Sequence, residues 1–251
     1  MSDWDAATYH DVAEPQEEWG LKVLSRLELS GDETVLDAGC GSGRMTRHLV
    51  DRVPEGRVIG VDSSPSMIEL ARENLGDRAD LREGSLLDLD LDEGVDAIFS
   101  NATFHWVIDH ERLFDRLHAA LRPGGVIEAQ CGGQGNIAEV ENALMNLEGD
   151  ERFAPYLRTM QSPWFFASVA DTEGRLARAG FEAGRCWIEH ADVTPPSPQE
   201  WSFLSSCVVN EHLDRLPEDL REPFVEALLE SMPRPLTLQY VRLNISARRQ
   251  V

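Results

Sequence analysis

From Glu17 onward, apolar positions along the chain alternate between a helical period and short continuous runs. Trp19, Val23, Leu24 and Leu27 recur at helical spacing and predict a helix over 17–27. "ETVLDA" (33–38) reads as a buried strand, and "GRMTRHLVDRV" (43–53) as a helix turning Met45, Leu49, Val50 and Val53 inward. "RVIGVD" (57–62) is a second strand. Ser64 before Pro65 marks an N-cap and first helical residue, opening a helix whose inner face holds Met67, Ile68, Ala71 and Leu75. Strands follow at "ADLREG" (79–84) and "VDAIFSN" (95–101). A helix carrying Leu113, Phe114, Leu117 and Leu121 comes next, stopped by "RPGG" (122–125), and then a strand at "VIEAQ" (126–130). No hairpin signal interrupts the alternation, which predicts an α/β doubly wound parallel sheet.

The rhythm breaks after Gln130. "CGGQG" (131–135) is a flexible break, and 137–159 has helical spacing with an interruption near Gly149. "DTEGRLARAGFEAGRCWIEH" (171–190) returns to a helix–turn–strand unit, with Gly180 as the C-cap. "TPPSPQEW" (194–201) is a proline-rich boundary before two further helical stretches, the second turning Leu220, Phe224, Leu228 and Leu229 to one side. Val241, Leu243, Ile245 and Ala247 alternate with polar residues, predicting a last strand with one wet face. The expected organisation is a single domain with its core in 15–131, 165–191 and 236–251. A helical cap would come from 132–164 and 192–235.

Composition works mainly by exclusion. At 251 residues and 42% hydrophobic, the chain can bury one full core. Its 23 basic and 45 acidic residues leave a net charge of −22. Such a surface repels polyphosphate, so nucleic acid and anionic membrane are not expected partners. Cys40, Cys131, Cys186 and Cys207 lie far apart without a CxxC pair, so neither a metal site nor a disulfide framework is expected. "MSDWDAATYHDV" lacks the basic and apolar regions of a signal peptide, and no apolar run is long enough to span a membrane. The expectation is a cytoplasmic protein, monomer or homodimer.

Candidate chemistry gathers in "TVLDAGCGSGRMTRHL" (34–49), where a strand ends in Asp37 and glycines follow at 39, 41 and 43. Glycines there let the chain turn tightly, with backbone N–H groups and a helix N-terminus facing a ligand. The spacing is G-x-G-x-G, not the G-x-G-x-x-G that admits a dinucleotide pyrophosphate. Asp37 would repel a pyrophosphate and suit an ammonium group. Asp62, closing the second strand, can take both hydroxyls of a ribose. Together these features suggest S-adenosyl-L-methionine, which carries an amino acid and a sulfonium where a dinucleotide carries phosphates.

The chain resembles the class I S-adenosylmethionine-dependent methyltransferases. "LDAGCGSGRMTRHL" is similar to their first motif and "VIGVDSSPSMIELAREN" to their second. "FSNATFHWV" resembles the segment after strand four, and "LRPGGVI" the turn before strand five. The resemblance implies a Rossmann-like seven-stranded sheet with an antiparallel last strand, and methyl transfer to a small-molecule acceptor. By the same resemblance, Asp37 and the backbone of Gly39, Cys40 and Gly41 would hold the methionine moiety, and Asp62 the ribose. Ser63 and Met67 would flank the adenine. Where many members carry an aspartate contacting the adenine amino group, this chain has Ser85, followed by Leu86. Asn101 and Ala102 would line the sulfonium region, and Tyr9 would close over the methionine end.

On the acceptor side there is no N/D-P-P-Y/F motif of the amine methylators; the chain reads Asn101-Ala-Thr-Phe-His105-Trp106. The resemblance to carboxyl methyltransferases implies that the Trp106 indole N–H orients a carboxylate; otherwise it packs under the cap. His105 is the candidate base for a hydroxyl acceptor, or a donor to a carboxylate, or a core histidine satisfied by the backbone. Gln16 is either a second carboxylate donor or part of a solvated helix face. Arg242 is read as a surface residue and not as a substrate clamp. Trp164, Phe165, Phe166, Trp201 and Phe203 are either cap core or acceptor pocket. O-methylation of a carboxylate or hydroxyl is the leading reading, with C- or N-methylation, or cofactor binding without catalysis, as alternatives.

Overall fold

The computed structural model describes residues 14–182, 184–195 and 199–251, with side chains from residue 17 on. Its strands are β1 (Thr34–Ala38), β2 (Arg57–Asp62), β3 (Asp80–Glu83), β4 (Val95–Asn101), β5 (Leu121–Gly132), β6 (Arg185–Val193) and β7 (Leu238–Arg248). They form one sheet in the order β3-β2-β1-β4-β5-β7-β6. β1 to β5 pair in parallel, and β7 runs antiparallel to both β5 and β6. The Rossmann-like arrangement with an antiparallel last strand is thus observed.

Helices α1 (Glu14–Leu24), α2 (Arg44–Arg52), α3 (Pro65–Leu75), α4 (His110–Ala120) and α7 (Val169–Ala179) cover the sheet. Their ends follow local chemistry. Ser64 Oγ accepts from the Met67 N–H at 3.3 Å, Asp109 Oδ1 from Arg112 at 3.0 Å, and Gly180 closes α7 in the left-handed region at φ 96°. The α4 helix stops at Ala120, and β5 begins at Leu121 with "RPGG" inside it, ahead of the expected start at Val126.

Three apolar clusters build the interior. Val23 and Leu24 of α1, Leu27 just after it, and Met45 and Leu49 of α2 pack on Val35, Val58 and Phe99 of one sheet face. Leu113, Phe114 and Leu117 of α4 pack on Ile59, Ile98 and Ile127 of the other. The third joins the start of β7 to α5 (Ala138–Leu147), α6 (Ala154–Leu157), α8 (Glu200–Cys207), α9 (Asn210–Arg215) and α10 (Glu218–Ser231). There Leu144, Phe153, Phe203, Leu204 and Phe224 meet. The interruption at Gly149 separates α5 from α6.

One expectation is overturned. The polar face of β7 is dry, with Arg242 and Asn244 both buried. β7 is an interior strand, and α1 covers this face. The Arg242 guanidinium lies 4.6 Å from the Trp19 ring. Its Nε donates to Gln130 Oε1 at 3.0 Å, Gln130 donates to Asn244 at 2.8 Å, and Arg26 reaches Glu128 Oε2 at 2.8 Å. Buried polar groups persist where partners satisfy them, as Gln130 does for Asn244 and for the Arg242 Nε. Arg242 is therefore no surface residue.

Candidate active site

In an open α/β sheet, ligands bind beyond the carboxyl ends of the strands, where neighbouring connections diverge. Here that point lies between β1 and β4, and a cleft enclosing about 1150 Å³, mouth included, opens there. The loop after β1, the end of β2, the turn after β3 and the segment after β4 form its walls.

The glycine loop is built by close approach. Gly39 sits at φ +83°, and a Cβ there would fall 2.1 Å from Thr103 Oγ1. Gly41, at φ +52°, faces open space, with nothing within 4 Å of a Cβ position. The amides do not point outward as the motif suggests. Gly39 and Cys40 donate to the Val61 carbonyl at 2.8 and 3.1 Å, and Gly41 donates to Asp62 Oδ2 at 2.9 Å. The adjacent parallel strand captures these N–H groups because β1 and β2 pair up to Ala38 and Val61. What remains for a ligand is bare backbone surface.

The two carboxylates differ. Asp37 is 1% exposed and accepts from Thr46 Oγ1 at 2.7 Å. Burial pushes its carboxyl up to about 7; the Thr46 hydrogen bond opposes this and the neighbouring Asp62 adds to it. Asp62 accepts from Gly41 and, through Oδ1, from the Ser64 N–H at 2.9 Å. Burial raises its pKa, with the backbone hydrogen bonds opposing. The Cys40 thiol is pushed well above its ordinary value by burial, so it stays protonated.

Of the residues singled out from the sequence, Asp37, Gly39, Cys40, Gly41, Asp62 and Ser63 meet on the cleft. So do Met67, Ser85, Leu86, Asn101, Ala102 and Trp106. Ser85 also caps the turn that follows, accepting from the Leu87 N–H at 3.2 Å. Tyr9 and the side chain of Gln16 lie outside the described residues.

His105 is not among the residues lining the cleft. It is buried beneath, 5.8 Å from the Phe166 ring, and its Nδ1 accepts from the Gly132 N–H at 3.3 Å. Burial lowers its pKa to about 3, with Arg242 adding to the effect. A neutral ring whose Nδ1 is an acceptor carries its proton on Nε2, leaving no free nitrogen to take another. Of the three roles open to His105, this geometry matches the core histidine satisfied by the backbone and does not support a base. Trp201 is 40% exposed, on the outer surface of α8, and Phe203 is core.

Glu17, Arg44, Thr103, Val107 and Glu211 also line the cleft, and none of them was expected from the sequence. Glu17 bonds His48 at 3.0 Å and lies 3.5 Å from Arg44. The His48 hydrogen bond, with Arg44 adding its charge, holds Glu17 below the usual carboxylate range. Arg44 had a signal, as the first helical residue after the glycine loop; Glu211, from the cap, had none.

The methyltransferase domain family matches residues 35–125. The trans-aconitate 2-methyltransferase of Methylobacterium nodulans is 31% identical, over 99% of both chains. An uncharacterized methyltransferase of Schizosaccharomyces pombe is 34% identical over 98% of both. Among solved structures, Haemonchus contortus phosphoethanolamine N-methyltransferase 2 in complex with S-adenosyl-L-methionine shares the fold. Its TM-score is 0.63 at 18% identity, covering 98% of this chain and 57% of that one. Glycine loop, second-strand aspartate, sheet order and full-length relatives agree: the chain belongs to the class I S-adenosylmethionine-dependent methyltransferases, beside the trans-aconitate 2-methyltransferases.

Proposed function

We propose that the protein transfers the methyl group of S-adenosylmethionine to a carboxylate oxygen of a small-molecule acceptor, giving a methyl ester. The observation that carries the choice of acceptor is the chemistry of the cleft wall: among the described residues lining it there is no imidazole and no amine, Asp37 and Asp62 are given to the cofactor, and Glu17 is engaged by His48 and Arg44. A carboxylic acid is ionised at neutral pH and needs no base, whereas an alcohol does. The name of the Methylobacterium nodulans relative, a carboxylate methylator, points the same way.

The residues fit the cofactor. Gly41 leaves room beside the loop, and each Asp62 oxygen takes one backbone amide while facing the cleft, as a pair of ribose hydroxyls requires. Asp37 and the loop backbone would hold the methionine end, Ser63, Met67, Ser85 and Leu86 the adenine, and Asn101 and Ala102 the sulfonium. When bound, the cofactor supplies an already activated methyl group. The protein's part is then alignment and exclusion of water. The Trp106 indole N–H would orient the acceptor carboxylate, and His105 would support Trp106, whose ring it meets at 5.3 Å.

The same reading makes the chain a single domain, the cap over 132–164 and 192–235 bounding the acceptor side. Four free cysteines support a reducing, cytoplasmic setting, and the net charge of −22 supports a partner list without nucleic acid. Among the described residues no helix is long and apolar enough to cross a membrane, and no cluster of side chains could hold a metal ion.

The test is incubation with methyl-labelled cofactor and panels of carboxylic acids, alcohols, phenols and amines. Label released as volatile methanol by mild base identifies an ester and is the expected result. Label confined to base-stable products would overturn the proposal.

A further inference from the structure

A second cavity of about 830 Å³, mouth included, lies between α5 and the segment after α6. Its apolar wall is Leu144, Met145, Leu157, Met160, Pro163 and Trp164. Trp164 is fixed there: Ser162 Oγ donates to its carbonyl at 3.0 Å and accepts from its N–H at 3.2 Å, and its ring stacks on Phe166 at 5.8 Å. At Trp164 this wall borders the reaction cleft. Trp106 lines the cleft, and its ring meets that of Trp164 edge-on at 6.1 Å. Glu211 of α9 lines the cleft and the next residue, His212, lines the second cavity. The two spaces are back to back.

Charge decides what could occupy them. The described lining of both holds six carboxylates, Glu17, Asp37, Asp62 and Glu211 in the cleft and Glu141 and Glu148 in the second cavity. Against these stands one guanidinium, Arg44, already 3.5 Å from Glu17. Burial lowers the His212 pKa to about 4, so its ring adds no positive charge. With Asp37 and Asp62 given over to a cationic cofactor, the remaining surface is still acidic. A polyanionic acceptor would bring its second and third carboxylates against like charge, uncompensated. Thioethers and an indole instead suit an apolar body.

Building on the carboxylate reading above, we propose that the acceptor is a monocarboxylate with an apolar body: the carboxylate sits at the Trp106 end of the cleft, and the body reaches the second cavity by parting the edge-on contact of Trp106 and Trp164. The specificity therefore differs from that named for the trans-aconitate relatives. Met145 and Met160 form the adaptable part of the wall, and Glu141 and Glu148 reject a second carboxylate at the far end.

The experiment measures kcat/KM for straight-chain monocarboxylates from butanoate to dodecanoate, for the matching dicarboxylates, and for trans-aconitate. In the wild type, kcat/KM rises about four-fold per added methylene until the cavity is filled. Asn142→Trp, at an exposed α5 position on the lining, abolishes that rise while leaving turnover of butanoate and affinity for S-adenosylhomocysteine unchanged. Glu148→Arg raises turnover of a long dicarboxylate about five-fold, the upper end for an exposed ion pair. Turnover of trans-aconitate above every monocarboxylate, or a chain-length dependence that survives Asn142→Trp, would overturn the proposal while leaving carboxylate methylation standing. Should no carboxylate be methylated, calorimetry of decanoate with the S-adenosylhomocysteine complex separates the two ideas. Binding that Asn142→Trp removes supports the cavity assignment and overturns the carboxylate reading; no binding overturns both.

Discussion

Replacing Asp37 by asparagine separates a stability cost from a binding role. In the folded protein burial lifts this carboxyl from 3.8 to about 7. Every tenfold weakening of an acid is worth ~1.4 kcal/mol, so holding the ionised form inside costs the ligand-free fold about 4 kcal/mol. Below the unfolded value both states are protonated and nothing is lost. As pH climbs from about 4 to 7 the unfolded chain ionises first and the native state loses ground; above that the loss is constant. Asparagine keeps an acceptor for the Thr46 hydroxyl and carries no charge. Asp37→Asn should therefore match wild type near pH 4 and exceed it by up to about 4 kcal/mol at pH 8. Urea denaturation of the ligand-free protein at pH 4, 6 and 8 measures this. The same variant should bind S-adenosylmethionine more weakly, because a positive ligand is what makes the buried charge useful. A stability difference that is absent at pH 8, or equal at all three values, would refute the reasoning.

Further outcomes follow from the same geometry. Asp62→Ala removes a charged acceptor and should weaken S-adenosylhomocysteine binding by about ten- to a hundred-fold; a calorimetric Kd within two-fold of wild type would contradict the ribose assignment. Gly39→Ala puts a methyl 2.1 Å from Thr103 Oγ1 and should abolish soluble expression, while Gly41→Ala, strained only by its φ of +52°, should fold at a cost of about 1–2 kcal/mol and bind cofactor less well. Because the His105 pKa is lowered to about 3, its ring is neutral throughout the range from pH 5 to 8. The pH profile of kcat should show no inflection that His105→Asn removes, and finding one would restore the base.

The site was legible where the chemistry is local in sequence. Asp37, the glycines and Asp62 come together because β1 and β2 are neighbouring parallel strands whose carboxyl ends coincide, with Asp37 beside Gly60 and Ala38 beside Val61. An alternating strand pattern says that two faces differ, not which is wet. Arg242 and Asn244 were misread because the helix covering them lies more than two hundred positions upstream. His105 misled for a related reason: residue type suggested a base, and only packing against Gly132 and Phe166 shows the ring committed elsewhere. Glu17 and Glu211 reach the cleft from α1 and α9, and no spacing rule links such distant segments.

The position of β7 dictates an order of assembly. It is the last strand in sequence yet lies inside the sheet, and among the described residues β6 pairs with no other strand of the sheet. Until residues 238–248 are in place, β5 keeps a naked hydrogen-bonding margin and β6 has no strand partner. An unfinished chain of this kind is prone to self-association. Shortening the protein at its carboxyl end would therefore strip away two strands for the price of one.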